Sequence, residues 1–184
     1  MLVALAFYSS DEAITFKNLE LMLALEPHGV EYRCLLSYEE GTNADRCREL
    51  AKKYFLLGVH DLVQRAGAVK KWPDAPNYAW QQTTSDVFRR FGESWLWLES
   101  DAIPLRENWL SDLEKEYLMA GKPFMGHIVD GMGHMTGNAV YPYNVANYCS
   151  EAMLCTSACF DVVLKRWTVD RGLVHPCNNL ITRV

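Results

Sequence analysis

Four apolar residues, Trp95 to Leu98, run without a break into Glu99-Ser100-Asp101, and Pro104 closes the stretch. An uninterrupted apolar run of this length fits a strand buried on both faces, as in a parallel sheet covered by helices. In open sheets of that kind, ligands lie outside the carboxyl ends of the strands. Two acids one residue apart at that edge can present oxygen ligands to a hard divalent cation that also grips a phosphate. A strand exit is equally an ordinary place for polar side chains, so the pair alone leaves both readings open. Side chains alternate along a strand, which sends Ser100 away from its two acidic neighbours.

A second concentration of polar chemistry lies in GHIVDGMGHMTGNAVYP, residues 126–142. Gly137 would let the backbone come close to a sugar, and Asn138 offers both a donor and an acceptor to hydroxyls. Thr136 immediately precedes them, and His134 could orient a sugar or reach a phosphate. Asp130 shares this segment, and Asp161 follows it at some distance. A carboxylate in either place could take the proton from an attacking hydroxyl. Asp161 could equally be a plain acid at a helix N-terminus, and Asp170 is a further candidate.

The elements that must position these groups alternate. Residues 2–8 read as a strand, with Ser9, Ser10 and Asp11 capping a helix that runs to about Glu26. A second strand is expected over 30–38 and a second helix over 44–54. The glycines and prolines of 56–76 allow only a short strand or helix and then a loop. Trp80, Thr84, Val87, Phe88 and Phe91 recur at helical spacing after Asn77, which could itself cap that helix. The strand at 95–101 follows, and then a helix from Asn108 that Gly121 stops. Residues 122–143 look too irregular for one long element, one or two helices are expected around 144–167, and the tail shows little regular structure. Strand-helix alternation of this kind predicts an α/β fold with a mostly parallel, Rossmann-like sheet flanked by helices, as a single domain over residues 1–184.

Length and a 49% hydrophobic content suffice for a folded core. No apolar stretch is long enough for a membrane span, and the start lacks the basic region and cleavage site of a signal peptide. A cytoplasmic location is therefore expected. The six cysteines form no Cys-x-x-Cys pair, which argues against structural zinc and for free thiols. A net charge of −5 and scattered basic pairs give no broad phosphate-binding surface.

Three blocks stand in order: KKWPDAPNYAW (70–80), WLWLESDAIPLRENWLSDLEKEY (95–117) and HMTGNAVYP (134–142). Together they resemble small glycosyltransferases of the GT-A fold, including phage and metagenomic-virus enzymes that decorate 5-hydroxymethylcytosine in DNA. The resemblance runs from the first strand to about Asp161, and its strongest element is the acid-x-acid block. It implies a nucleotide-sugar donor, a UDP-sugar, with Mn2+ or Mg2+ and a DNA hydroxyl as candidate acceptor. By that likeness Asp101 ligates the metal, Glu99 contacts the ribose or the metal, and His175 completes the metal site. Ser9, Lys70, Lys71 and Asn77 fall on the nucleotide side with Glu99, Gly137 and Asn138. Asp161 matches the late acid of the family, with His134 and Asp130 as further catalytic candidates.

Overall fold

The computed structural model describes residues 1–65, 73–154, 158–177 and 181–183. Lys70, Lys71 and Trp72 lie outside the described residues. The main sheet begins as a parallel α/β unit: β1 (Leu2–Phe7), α1 (Glu12–Leu25), β2 (Arg33–Glu39), α2 (Asp45–Tyr54) and β3 (Val59–Gln64). Helix α3 (Asp74–Arg90) leads to β4 (Trp95–Glu99), and a turn at Ser100-Asp101 leads to the short β5 (Ala102–Pro104). Helix α4 (Trp109–Ala120), β6 (Phe124–Ile128), β7 (Met135–Tyr141), α5 (Val145–Tyr148) and α6 (Phe160–Leu164) follow, then β8 (Val174–Pro176) and β9 (Ile181–Arg183).

The sheet order is β3-β2-β1-β4-β7-β6-β8, with β5 and β9 forming a separate pair. Strands β3, β2, β1 and β4 are mutually parallel, β7 runs antiparallel to β4 and β6, and β8 is parallel to β6. The mostly parallel, helix-flanked α/β sheet matches the expectation from the sequence. From β1 the chain first builds outward through β2 and β3, then returns to place β4 on the other side of β1. The seam between β1 and β4 is thus a topological switch point.

Alternation along the central strands divides the core into two layers. Val3, Leu5, Leu96 and Leu98 pack with α1, α2 and α4, where Trp109 and Tyr54 are fully buried. Leu2, Ala4, Trp95 and Trp97 pack instead with Trp80 of α3 and Phe160 and Leu164 of α6. Trp80 lies nearly parallel to Phe160, at 10° and 4.6 Å between centroids, and is one of the largest fully buried side chains. Trp80, Trp95, Trp97 and Trp109 are all core side chains, buried almost completely.

Several boundaries differ from the sequence reading. Strand β2 starts at Arg33 because Val30 is taken by an isolated bridge to Phe55. Helix α3 starts at Asp74, so Asn77 lies inside its first turn and is no cap. The segment over 122–143 is a β-hairpin: Gly131 and Gly133 adopt positive φ in the connection, which glycine accepts without strain. The tail forms β8 and β9 by adding onto β6 and β5. Asn108 does sit immediately before α4, in the left-handed region at φ 57, a conformation asparagine tolerates. Gly121 ends that helix at φ 60. Among the described residues, Cys34 and Cys47 are buried free thiols. Among the described residues, no helix is long and apolar enough to cross a membrane.

Candidate functional site

A cleft of about 300 Å³ opens at the carboxyl ends of β1 and β4, where the switch point leads one to look. Strand β1 and the turn after it contribute Ala6, Tyr8 and Asp11; β4 and its turn contribute Trp97, Glu99, Ser100 and Asp101. The opposite wall is the start of α3, with Pro76 and Ala79, and the start of α6, with Cys159, Phe160 and Asp161. Glu99 shares the parity of Trp95 and Trp97, so the same alternation that buries those indoles on α3 and α6 aims the Glu99 carboxylate at this wall.

Two amides hold the acidic segment. Glu99 N–H donates to Asn138 Oδ1 at 2.7 Å. Asn18 of α1 donates through Nδ2 to the carbonyls of Ser100 (2.5 Å) and Ala102 (3.2 Å), on either side of Asp101. Burial pushes the Asp101 carboxyl above its ordinary value; its own backbone N–H opposes this and the charge of Asp11 adds to it. Both the burial and the neighbouring acid disfavour a bare negative charge, and a divalent cation would reverse both effects.

The donor set therefore fits Mg2+ or Mn2+ held by oxygen atoms of the acidic segment. Among the described residues, no group of three or more His, Cys, Asp or Glu side chains closes into a cage. An open site of one or two carboxylates is the arrangement Mg2+ adopts when substrate phosphates complete its shell.

The far wall is built by Asn77. Its side chain, on a residue only 1% exposed, accepts from Phe160 N–H at 2.7 Å and donates to Ala158 C=O at 2.8 Å. Those bonds tie α3 to the start of α6 and so fix Asp161. Asp161 Oδ1 accepts from Val162 N–H at 2.8 Å, and Oδ2 lies 3.7 Å from His134 Nε2. Burial raises the Asp161 carboxyl above its ordinary value, against the pull of the Val162 amide and of His134.

Other expected residues stand elsewhere. Ser9 is exposed in the turn after β1, and the residues of that turn that line the cleft are Tyr8 and Asp11. Asp130 is exposed in the hairpin connection. Gly137 approaches no open space: the Glu99 carboxylate fills the room beside it. The acceptor half of the Asn138 amide is taken by Glu99 N–H, and Thr136 Oγ1 donates to the Asn138 carbonyl at 3.2 Å.

His175 stands apart from the acid pair. It lies on β8, separated from β4 in the sheet by β7 and β6, and its Nε2 is 3.0 Å from Glu116 Oε1 on α4. Cys177 Sγ reaches the other oxygen of the same carboxylate at 3.7 Å. His175 and Glu116 line a separate surface feature with Arg106 and Lys115, and the imidazole is not brought to the acid pair.

Sequence reading missed Tyr8, Asp11 and Asn18. Asp11 was legible only as a helix cap, yet it sits at a strand end beside the switch point, the second signal that could have flagged it. Asn18 carried no signal, because its partners are backbone atoms far along the chain.

No protein-family model matches this sequence, and no curated protein matches it either. Solved structures do match in fold. The galactosyltransferase LgtC, solved with donor and acceptor sugar analogs, superposes with a TM-score of 0.64 at 11% identity, covering 97% of this chain and 73% of that one. Mouse xyloside xylosyltransferase 1 gives 0.60 at 7% identity, covering 96% and 84%. A glucose-1-phosphate thymidylyltransferase of Bacillus anthracis gives 0.58 at 8% identity, covering 99% and 88%. At such identities the likeness establishes a GT-A-like α/β fold.

Proposed function

We propose that this chain is a metal-dependent glycosyltransferase that moves a sugar from a nucleotide sugar, a UDP-sugar, to an acceptor hydroxyl. The observation that carries the reading is the placement of Glu99 and Asp101 in a cleft at the β1/β4 switch point, facing Asp161 across it. A diphosphate leaving from a sugar accumulates negative charge, and catalysis requires something to offset it. Mn2+ or Mg2+ held by Asp101, with Glu99 on the ribose or on the same ion, would supply that offset.

Asp161 takes the proton of the attacking hydroxyl. A carboxyl raised by burial is a stronger base than an exposed one, and His134 Nε2 lies 3.7 Å from its Oδ2. Tyr8 and Asp11 line the β1 side, where the nucleoside would rest. Lys70 and Lys71 are proposed for the phosphates on the strength of the sequence resemblance alone.

Titration with UDP, with and without Mn2+, tests the donor. A metal-dependent heat of binding is expected, and its absence with every nucleotide sugar would refute the donor reading. For the acceptor, 5-hydroxymethylcytosine DNA is proposed from the same resemblance. A transfer assay should compare it with a glycan, a protein and a small-molecule hydroxyl. The net charge of −5 predicts weak, salt-sensitive contact with the phosphate backbone.

Nucleotidyl transfer is the second reading, favoured by the likeness to the thymidylyltransferase structure. It needs the same carboxylates and metal but releases pyrophosphate from a nucleoside triphosphate and a sugar phosphate. A catalytically silent module would bind nucleotide and yield neither product.

A further inference from the structure

The turn bearing Asp101 has no regular structure of its own, yet its two flanking carbonyls converge on one side chain. Asn18 Nδ2 donates to Ser100 O at 2.5 Å and to Ala102 O at 3.2 Å. Carbonyl oxygens only accept, so the amide must present its NH2 here and not its oxygen. Both of its N–H groups are then spent bracketing Asp101. A void of about 10 Å³ beside this contact, lined by Leu5, Leu19 and Leu98, is at the lower limit for a single water. Solvent is thus a poor substitute for the amide.

From this bracket we propose that Asn18 is a positioning residue that fixes the Asp101 carboxylate toward the cleft. With the carbonyls of residues 100 and 102 turned back onto α1, the side chain between them is directed to the cleft it lines. Outer partners of this kind orient the groups that touch a metal, and losing one typically weakens metal affinity about 10- to 100-fold. The metal consequence rests on the glycosyltransferase reading; the clamp itself does not.

Asn18→Leu keeps the branched shape with somewhat more bulk, removes both donors and excludes water, and Asn18→Asp places a carboxylate against two carbonyls. Lys17→Ala, exposed on the neighbouring position of the same helix, is the control. Two measurements are made on each folded variant. The first is the 15N order parameter of the Asp101 and Ala102 amides, expected to fall from about 0.85 to below about 0.6 in both Asn18 variants. The second is Mn2+ affinity with UDP present, followed by the EPR signal of free Mn2+ and expected to weaken by about 10-fold or more. Unchanged order parameters overturn the clamp. Lowered order with wild-type Mn2+ affinity overturns its role in aiming Asp101 at the ion. A wild-type protein that holds no Mn2+ is a different failure: it sinks the metal reading while the order parameters still judge the clamp.

Discussion

The carboxylate of Glu99 occupies the space that a side chain at position 137 would need. A Cβ built on Gly137 would stand 2.7 Å from Glu99 Oε1 and 3.4 Å from Phe160 Cζ. One antiparallel strand thus omits its side chain so that an acid on its neighbour can turn into the cleft. The same strand then holds the backbone of that acid through Asn138.

Gly137→Ala should therefore displace the Glu99 side chain, the flexible partner in the clash, while the sheet persists. Overpacking of this kind costs about 1–3 kcal/mol. Thermal denaturation should report that loss, and donor affinity should fall further than Gly126→Ala makes it fall. Gly126 faces an equally tight approach, 2.8 Å to Ala139 Cβ and to Met135 Cγ, but lies outside the cleft lining.

Asp101→Asn keeps the size of the side chain and removes its charge. Metal-dependent UDP binding should disappear in calorimetry while the circular dichroism stays that of the wild type. A variant with full affinity and turnover would remove Asp101 from the metal role.

Asp161 gives a pH signature of known sign. Its folded carboxyl lies above the ordinary 3.8, so the native state holds the proton where the unfolded chain has released it. Its contribution favours folding at low pH and is lost as pH rises from the ordinary value through the raised one. Asp161→Asn should consequently flatten that part of the stability profile, read by urea unfolding at a series of pH values. In activity the order inverts: kcat should rise as Asp161 ionises, and the variant should lose kcat while KM changes little.

Asn77→Ala should loosen the cleft from behind. The substitution strands the Phe160 N–H and the Ala158 carbonyl, and an unsatisfied buried group costs about 1–3 kcal/mol. Stability should drop by that order in denaturant titration, and kcat with it, because Asp161 is the next residue after the freed amide.

The amino-acid sequence by itself determined the α/β class and the placement of Glu99. The apolar run from Trp95 to Leu98 fits a strand covered on both faces, and on such a strand a period of two puts Glu99 on the tryptophan side. Turn chemistry was equally local, as Asn108 before α4 and Gly121 at its end show. What only the tertiary structure decided is which distant groups meet. Val174–Pro176 is too short to declare itself a strand and becomes one by borrowing the edge of β6, which carries His175 to Glu116 and away from the acid pair. Asp161 meets His134, and Asn18 meets the Asp101 turn, through contacts between elements far apart in the chain. Periodicity and turn residues act over a few positions and leave a mark in any short window; pairing and packing between elements depend on partners that no window contains.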